Sequence, residues 1–350
     1  MIHASRAAPT VGRGKHTMHD VARLAGVAIS TVSALINGSP KVSEARADRI
    51  RRAMEALDYH PDQIARSLKV GRTQTIGVII PDITNPFYPA VFRGIEDAAR
   101  EAGYGVLLCN SNEDARQERA HLNTLFSRRV DGVLLACSSG STAYEAAVFR
   151  RFPLVFVDRI PRGIAEGAIC TDNAEAGRTA TQHLIDLGHR HIALLAGDLE
   201  LGPHADRLEG FRQAMQRAGI PVHGKYLCAG SMQIEDGQRM AEKLLRLDKR
   251  PTAIIASNSK LLLGLLHVAR QQHLKCPRDL SIVTFDEHEW NEYFDPRITA
   301  VVQPTYEIGR RAFELLHSKL IPGSSVETTG VTKLSAQFTI RGSTGAPLGK

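Results

Sequence analysis

The residue groups in this chain with a chemical look are few, and most point away from catalysis. Asp286-Glu-His-Glu289 gathers carboxylates around an imidazole and has the composition of a metal site. Four polar residues directly after an apolar, strand-like run more often line a ligand cleft, however, and no metal is expected. The cysteines at Cys109, Cys137, Cys170, Cys228 and Cys276 are scattered and never form C-x-x-C. Neither a zinc site nor a disulfide framework follows; buried free thiols in a reducing cytoplasm do. Gly12-Arg-Gly-Lys15 lacks the spacing and the preceding strand of a phosphate loop. The chain has no G-x-G-x-x-G after a strand, no H-E-x-x-H and no G-x-S-x-G. With no nucleophile–base pair in view, neither an enzyme nor a bound cofactor is expected. His189 and His191 flank a strand start and read as structural.

The strongest pattern is one of recognition. In Met18–Asn37, Ala22, Gly26, Val32 and Leu35 fall at the spacing of a helix-turn-helix. Ala22 is small enough for two helices to cross closely, and Gly26 supplies the backbone freedom of a tight turn. Val27, Val32 and Leu35 would lock the second helix, leaving Ile29, Ser30, Ser33 and Ala34 outward, where a DNA major groove can receive them. Helices are expected over Met18–Ala25, Ile29–Asn37 and Glu44–Leu57, the last capped by Ser43 and showing Ile50, Met54 and Leu57 on one face. Charge agrees: residues 1–72 carry 12 Lys+Arg against 6 Asp+Glu, whereas the remainder carries 32 against 31. Nearly all of the basic excess sits where phosphate would be met.

From Thr75 the rhythm changes to apolar runs separated by amphipathic stretches. Ile76–Ile80, Val106–Cys109, Gly132–Ala136, Leu154–Val157, His191–Leu195, Ala253–Ala256 and Ser281–Phe285 read as buried parallel strands. Helices are expected over Phe87–Glu101, Ala115–Arg128, Gln182–Leu187, Arg207–Ala218, Lys260–Gln272 and Glu307–Lys319, with a further strand near Gln337–Ile340. About eight such units in two clusters argue for two α/β subdomains, although pattern alone leaves a barrel open. Residues 1–15 are Ala-, Gly-, Pro- and Arg-rich without the apolar core of a secretory signal, and no run of about 18 apolar residues suggests a membrane span.

Several motifs, in order, carry a resemblance: Asp20-Val-Ala-x-x-Ala-Gly-Val27, Thr31-Val-Ser33, Asn37-Gly38, Ala65-Arg-Ser-Leu68, Asn85-Pro-Phe87, Gly188-His-Arg190, Arg207-x-x-Gly-Phe211, Phe285-Asp286 and Val302-Gln-Pro304. From about residue 17 to 342 the chain resembles the lactose-repressor/purine-repressor (LacI/GalR) family of bacterial transcriptional regulators. The resemblance implies an all-α helix-turn-helix DNA-binding head and an α/β periplasmic-binding-protein-like body of two doubly wound subdomains. The implied layout is a disordered arm (1–15), the head (16–61), a hinge helix and linker (62–74) and an effector-binding and dimerisation domain (75–345). Within that domain, the N-subdomain takes about 75–171 and 304–335, and the C-subdomain about 172–303 and 336–345.

The resemblance also assigns roles. Ile29, Ser30 and Ala34 would read bases, while Thr17, Thr31, Ser33 and Asn37 would hold phosphates. Arg66 and Leu68 belong to the hinge, whose leucine would wedge into the minor groove. Effector positions carry over as Phe87, Tyr88, Asp158, Arg207, Met232, Asn258 and Asp286. Asp and Asn can engage hydroxyls, Arg207 offers a fork, and Phe87 a flat wall. Three positions depart from the family: Ala34 where many members carry a base-reading Arg, Met232 where an aromatic is frequent, and Ser259 where Asp is common. His288 and Trp290 are candidates for additional ligand contacts. The expectation is a cytoplasmic homodimeric repressor binding a pseudo-palindromic double-stranded operator and sensing a sugar or sugar-acid-like small-molecule effector. The alternative is a periplasmic-type solute-binding protein without DNA function.

Overall fold

Short apolar runs become central strands and the stretches between them become covering helices in a computed structural model, which describes residues 16–36, 39–60, 71–138, 153–161, 167–321 and 330–348. The arm 1–15, Asn37, and the hinge positions Arg66 and Leu68 lie outside the described residues. The chain divides into two units, Met1–Thr73 and Gln74–Lys350.

The first unit contains α1 (Met18–Ala25), α2 (Ile29–Ile36) and α3 (Glu44–Ala56). Thr17 and Asp20 start α1 with a capping box: the Thr17 amide and hydroxyl both donate to Asp20 Oδ2, at 2.9 and 2.8 Å. Gly26 ends α1 at φ 61°, in the left-handed region expected of it, and α2 leaves at 108° to α1. Val21, Ala22, Ala25, Val32, Ile50 and Ala53 are buried together, with Val27, Leu35, Met54 and Leu57 packed around them. Ser43 occupies the N-cap of α3 in extended backbone, but its side chain makes no capping bond.

The second unit holds two six-stranded sheets. The first (N-lobe) has strand order β11-β5-β4-β3-β1-β2, formed by β1 (Thr75–Ile80), β2 (Gly105–Asn110), β3 (Gly132–Leu135), β4 (Leu154–Val157), β5 (Ala168–Thr171) and β11 (Val331–Leu334), all parallel. The second (C-lobe) has order β12-β10-β9-β8-β6-β7, from β6 (Ile192–Ala196), β7 (Leu227–Ala229), β8 (Ala253–Ala256), β9 (Ser281–Phe285), β10 (Thr299–Val302) and β12 (Gln337–Thr339). Here only β12 runs antiparallel, against β10. This is the doubly wound pair, not a barrel. The chain passes between the sheets after Thr171, after Val302 and after Leu334. Two of these crossings are tied by Asp172 N–H donating to Leu334 O at 2.8 Å.

Helices α4 (Phe87–Glu101), α5 (Ala115–Ser127) and α10 (Thr305–Leu320) cover the N-lobe sheet; α6 (Asn173–Asp186), α7 (Gly202–Arg217), α8 (Ile234–Leu245) and α9 (Ser259–Gln271) cover the C-lobe sheet. Fully buried Phe156 and Phe285 anchor one core layer in each lobe, each contributing about 1.5–3 kcal/mol by leaving water.

Two helices start a turn or more earlier than the sequence suggests. Helix α6 begins at Asn173, not Gln182, because Gly177 is a packing residue: a Cβ there would lie 2.4 Å from Arg207 O on α7. Its counterpart Gly210 leaves 2.0 Å to Ala174 O. Helix α7 begins at Gly202, with Pro203 in the first turn where its missing N–H is harmless, so Arg207 lies well inside the helix.

Candidate effector cavity and DNA-recognition face

Seven residues named from sequence, Phe87, Tyr88, Asp158, Arg207, Met232, Asn258 and Asp286, line one and the same cavity. Asn85, Arg159, Pro203, His204 and Gln303 complete the lining. Contributions come from both lobes, mostly from strand ends and helix starts, as expected for an open α/β sheet.

Asp158 and Asp286 are related placements. Each follows directly on a strand, β4 or β9, and each has positive φ, 63° and 75°. Left-handed backbone is uncommon outside glycine, though Asp tolerates it better than most residues, and at both positions it occurs where a carboxylate lines the cavity. The Tyr88 hydroxyl donates to Asp158 Oδ2 at 3.2 Å, while the buried Oδ1 has no partner among the described residues. Burial raises the Asp158 pKa above the usual carboxylate range against the pull of Arg159 and Arg207. Gln303 Nε2 donates to Asp286 Oδ1 at 2.5 Å and accepts at Oε1 from Thr171 Oγ1 at 2.7 Å.

Arg207 is held from three sides: Nε donates to Asn173 Oδ1 at 2.7 Å, Nη1 to Ser257 O, and Cζ lies 4.2 Å from the Phe285 ring centre. Burial lowers its pKa, with Asp286 and Asp158 opposing. Arg159 forms a fork with Glu113 at 2.7 and 2.9 Å and also reaches Cys137 O at 3.1 Å. Burial disfavours its charge, but Tyr88 and Glu113 outweigh that and raise its pKa. Asn258 caps α9, its Oδ1 accepting from Leu261 N–H at 2.7 Å. His204 is buried; burial first, then Arg207 and Arg159, hold its pKa well below the ordinary value, so the ring is neutral. Its nitrogens face Ser257 Oγ at 3.3 Å and Met232 Sδ at 2.8 Å.

His288 and Trp290 do not reach the cavity. Their rings lie tilted 5.0 Å apart and Trp290 packs against the C-lobe core, because Glu289–Tyr293 turns away as a short 3-10 helix. Glu287 instead meets Arg341 at 2.9 Å. His189 is structural: its ring contacts Thr252, Ser281 and the Gly345 carbonyl.

Among the lining residues not named from sequence, Arg159 follows Asp158 directly. Asn85 and Gln303 stand inside motifs already noticed, Asn85-Pro-Phe87 and Val302-Gln-Pro304, without having been given a role. His204 carried no signal, because α7 was expected to begin after it.

On the first unit, Ile29 (37% exposed) and Ser30 are on the open side of α2, with Thr31, Ser33 and Ala34 partly buried and Val32 fully so. Thr17, expected on a phosphate, has its hydroxyl in the α1 capping box.

Comparison with known proteins agrees with both parts. Residues 17–62 match bacterial regulatory proteins of the lacI family, and 181–344 match the periplasmic binding protein-like domain. The chain is 37% identical over 303 residues to the ribose operon repressor of Escherichia coli (strain K12), covering 86% of this chain and 92% of that protein. It is 36% identical over 306 residues to the HTH-type transcriptional repressor PurR of Vibrio parahaemolyticus, covering 87% and 92%. A crystal structure of a putative ribose operon repressor from Burkholderia thailandensis superimposes with TM-score 0.69 at 35% identity, over 77% of this chain and 99% of that one. The head match sets aside a solute-binding protein without DNA function. The chain belongs to the lacI family of bacterial regulatory proteins.

Proposed function

We propose that this chain is a cytoplasmic, homodimeric transcriptional repressor whose body senses a small, neutral, polyhydroxylated metabolite of the sugar class. Two heads bind the half-sites of a pseudo-palindromic operator, with Ile29, Ser30 and Ala34 toward the bases and Thr17, Thr31, Ser33 and Asn37 toward phosphates. Arg66 and Leu68 belong to the hinge that enters the minor groove. Effector in the cavity shifts the balance between lobe arrangements, which alters the spacing of the paired hinges and so the register of the heads.

The observation that carries the ligand class is the charge balance of the cavity. Asp158 and Asp286 face Arg207 and Arg159, and Arg159 is already matched by Glu113, so the formal sum is negative and an anionic ligand is disfavoured. Asp158 Oδ1, without a partner among the described residues, is an acceptor that a ligand hydroxyl would satisfy. The name of the E. coli relative, a ribose operon repressor, points the same way. The cavity residues take up binding roles, not catalytic ones.

The test is a thermal-shift screen of neutral sugars against the matching sugar acids, followed by operator binding with each hit. Neutral sugars should raise the melting temperature, by the equivalent of about 2.7 kcal/mol at a hundredfold excess over Kd, and change operator affinity. Stabilisation by the acids alone would overturn the neutral-ligand reading.

A further inference from the structure

Lys260 is out of place for its own helix. It is the second residue of α9, at the positive end of the helix dipole, where a cation is unfavourable. Its reason lies on the other lobe. The Lys260 ammonium donates to Asp82 Oδ2 at 2.7 Å and to Thr84 Oγ1 at 2.8 Å, both in the N-lobe loop after β1, and to Gln233 Oε1 at 3.1 Å in its own lobe. All three donors are therefore in use, two of them across the gap between lobes. Asp82 is organised to receive it: Oδ1 accepts from the Thr84 amide and hydroxyl at 2.8 and 2.6 Å, leaving Oδ2 for the lysine. The side chains of Lys260 and Asp82 are only 13% and 16% exposed, so the pair is more enclosed than an ordinary surface ion pair. Burial alone would raise the Asp82 pKa, but hydrogen bonds from Lys260 and Thr84 overcome it and keep the carboxylate ionised below its usual range.

The pair also flanks the cavity on every side it touches. Asp82 and Thr84 precede the lining residues Asn85 and Phe87, Gln233 follows Met232, and Lys260 stands one residue beyond the Asn258–Ser259 step. We propose that Asp82 and Lys260 are positioning residues that latch the two lobes beside the cavity and so set effector affinity without touching effector. The proposal rests on the effector reading of the cavity. Binding needs both walls in place, and apparent affinity scales with the fraction of molecules already closed.

The experiment uses the full-length protein with Lys260→Met, Lys260→Arg and Asp82→Asn; the Asn variant keeps the acceptor for Thr84. Hydrogen–deuterium exchange of ligand-free protein reads the latch directly, at Asn85–Tyr88 and at Pro203–Arg207, neither of which contains a latch residue. Both segments should exchange faster in Lys260→Met and Asp82→Asn and stay near wild type in Lys260→Arg. In parallel, calorimetry with D-ribose should show affinity about tenfold weaker in the two charge-removing variants. Unchanged exchange at Pro203–Arg207 overturns the latch, whatever sugar binds. Unchanged D-ribose affinity with altered exchange overturns its role in binding. A wild type that binds no sugar counts against the effector reading, while the exchange result still decides the latch.

Discussion

Asp158→Asn should weaken effector binding and strengthen the empty protein at the same time. The side chain is buried, with one oxygen held by the Tyr88 hydroxyl and the other without a partner among the described residues. Asparagine keeps the shape and an acceptor but loses the charge. A hydrogen bond to a charged group is worth about 1.5–3 kcal/mol and a neutral one about 0.5–1.5, so the difference is about 1–1.5 kcal/mol. That corresponds to about fivefold to tenfold in Kd for a bound sugar. The stability effect has the opposite sign. Burial raises the Asp158 pKa, so the folded chain holds this proton more tightly than the unfolded chain. Stability therefore falls as pH rises from the ordinary Asp value of about 3.9 through the folded value, and the penalty is complete above that. Asparagine removes the penalty: its melting temperature should exceed wild type at neutral pH, and the gain should vanish in acid. Titration calorimetry and a thermal melt across pH, both without operator, check the two halves. A variant with wild-type affinity, or one that melts lower than wild type at neutral pH, would refute the reasoning.

Other outcomes follow from the same contacts. Gly210→Ala places a Cβ 2.0 Å from Ala174 O, so urea unfolding should report a loss of about 1–3 kcal/mol or more, with sugar affinity falling as α7 and Arg207 shift. His204→Gln should flatten the acid side of the stability profile. The neutral ring of the wild type contributes stability that is present above about pH 6.5 and is lost as pH falls toward its depressed folded pKa; a wild-type slope in the variant would count against this. Ala34→Arg should change the preferred half-site toward guanine at one position in a binding-site selection, since a methyl group can touch only thymine's methyl whereas a guanidinium grips guanine. Recovery of the same half-site by both proteins would refute the base-reading role of residue 34.

The head was legible because its few rules are local. Gly26 sits at the one position that needs left-handed backbone, and Val21, Val32 and Ile50 at the spacing that buries them. The central strands were legible for a similar reason, as fully buried parallel strands are nearly continuous apolar runs. Strands β5, β7, β10 and β11 are less legible because Thr, Cys or Lys interrupts or ends their apolar runs, and β11 is largely exposed at a sheet edge. The starts of α6 and α7 lie earlier than the expected Gln182 and Arg207: Gly177 permits a close helix crossing, and Pro203 fits a first turn. In the cavity, the residues named early owe their places to motif position. Arg159 and His204 owe theirs to tertiary packing: one is fixed by Glu113 far away in sequence, the other by Ser257 and Met232. No local spacing encodes such pairings.

The cavity and the crossings between lobes are joined by a short chain of hydrogen bonds. Thr171 ends β5 at the first crossing and Gln303 stands in the second, and Gln303 joins Thr171 to Asp286 through its two amide atoms. The third crossing is tied to the first through Asp172 and Leu334. Asp286 is itself in left-handed backbone, a conformation that persists in a non-glycine residue only when its surroundings hold it. In the proposed effector reading, a ligand hydroxyl bonded to Asp286 would act on a carboxylate already tied to the crossings between the lobes. In that reading, coupling between ligand and lobe arrangement would need no relay through the core, because Asp286 and the crossings share one glutamine.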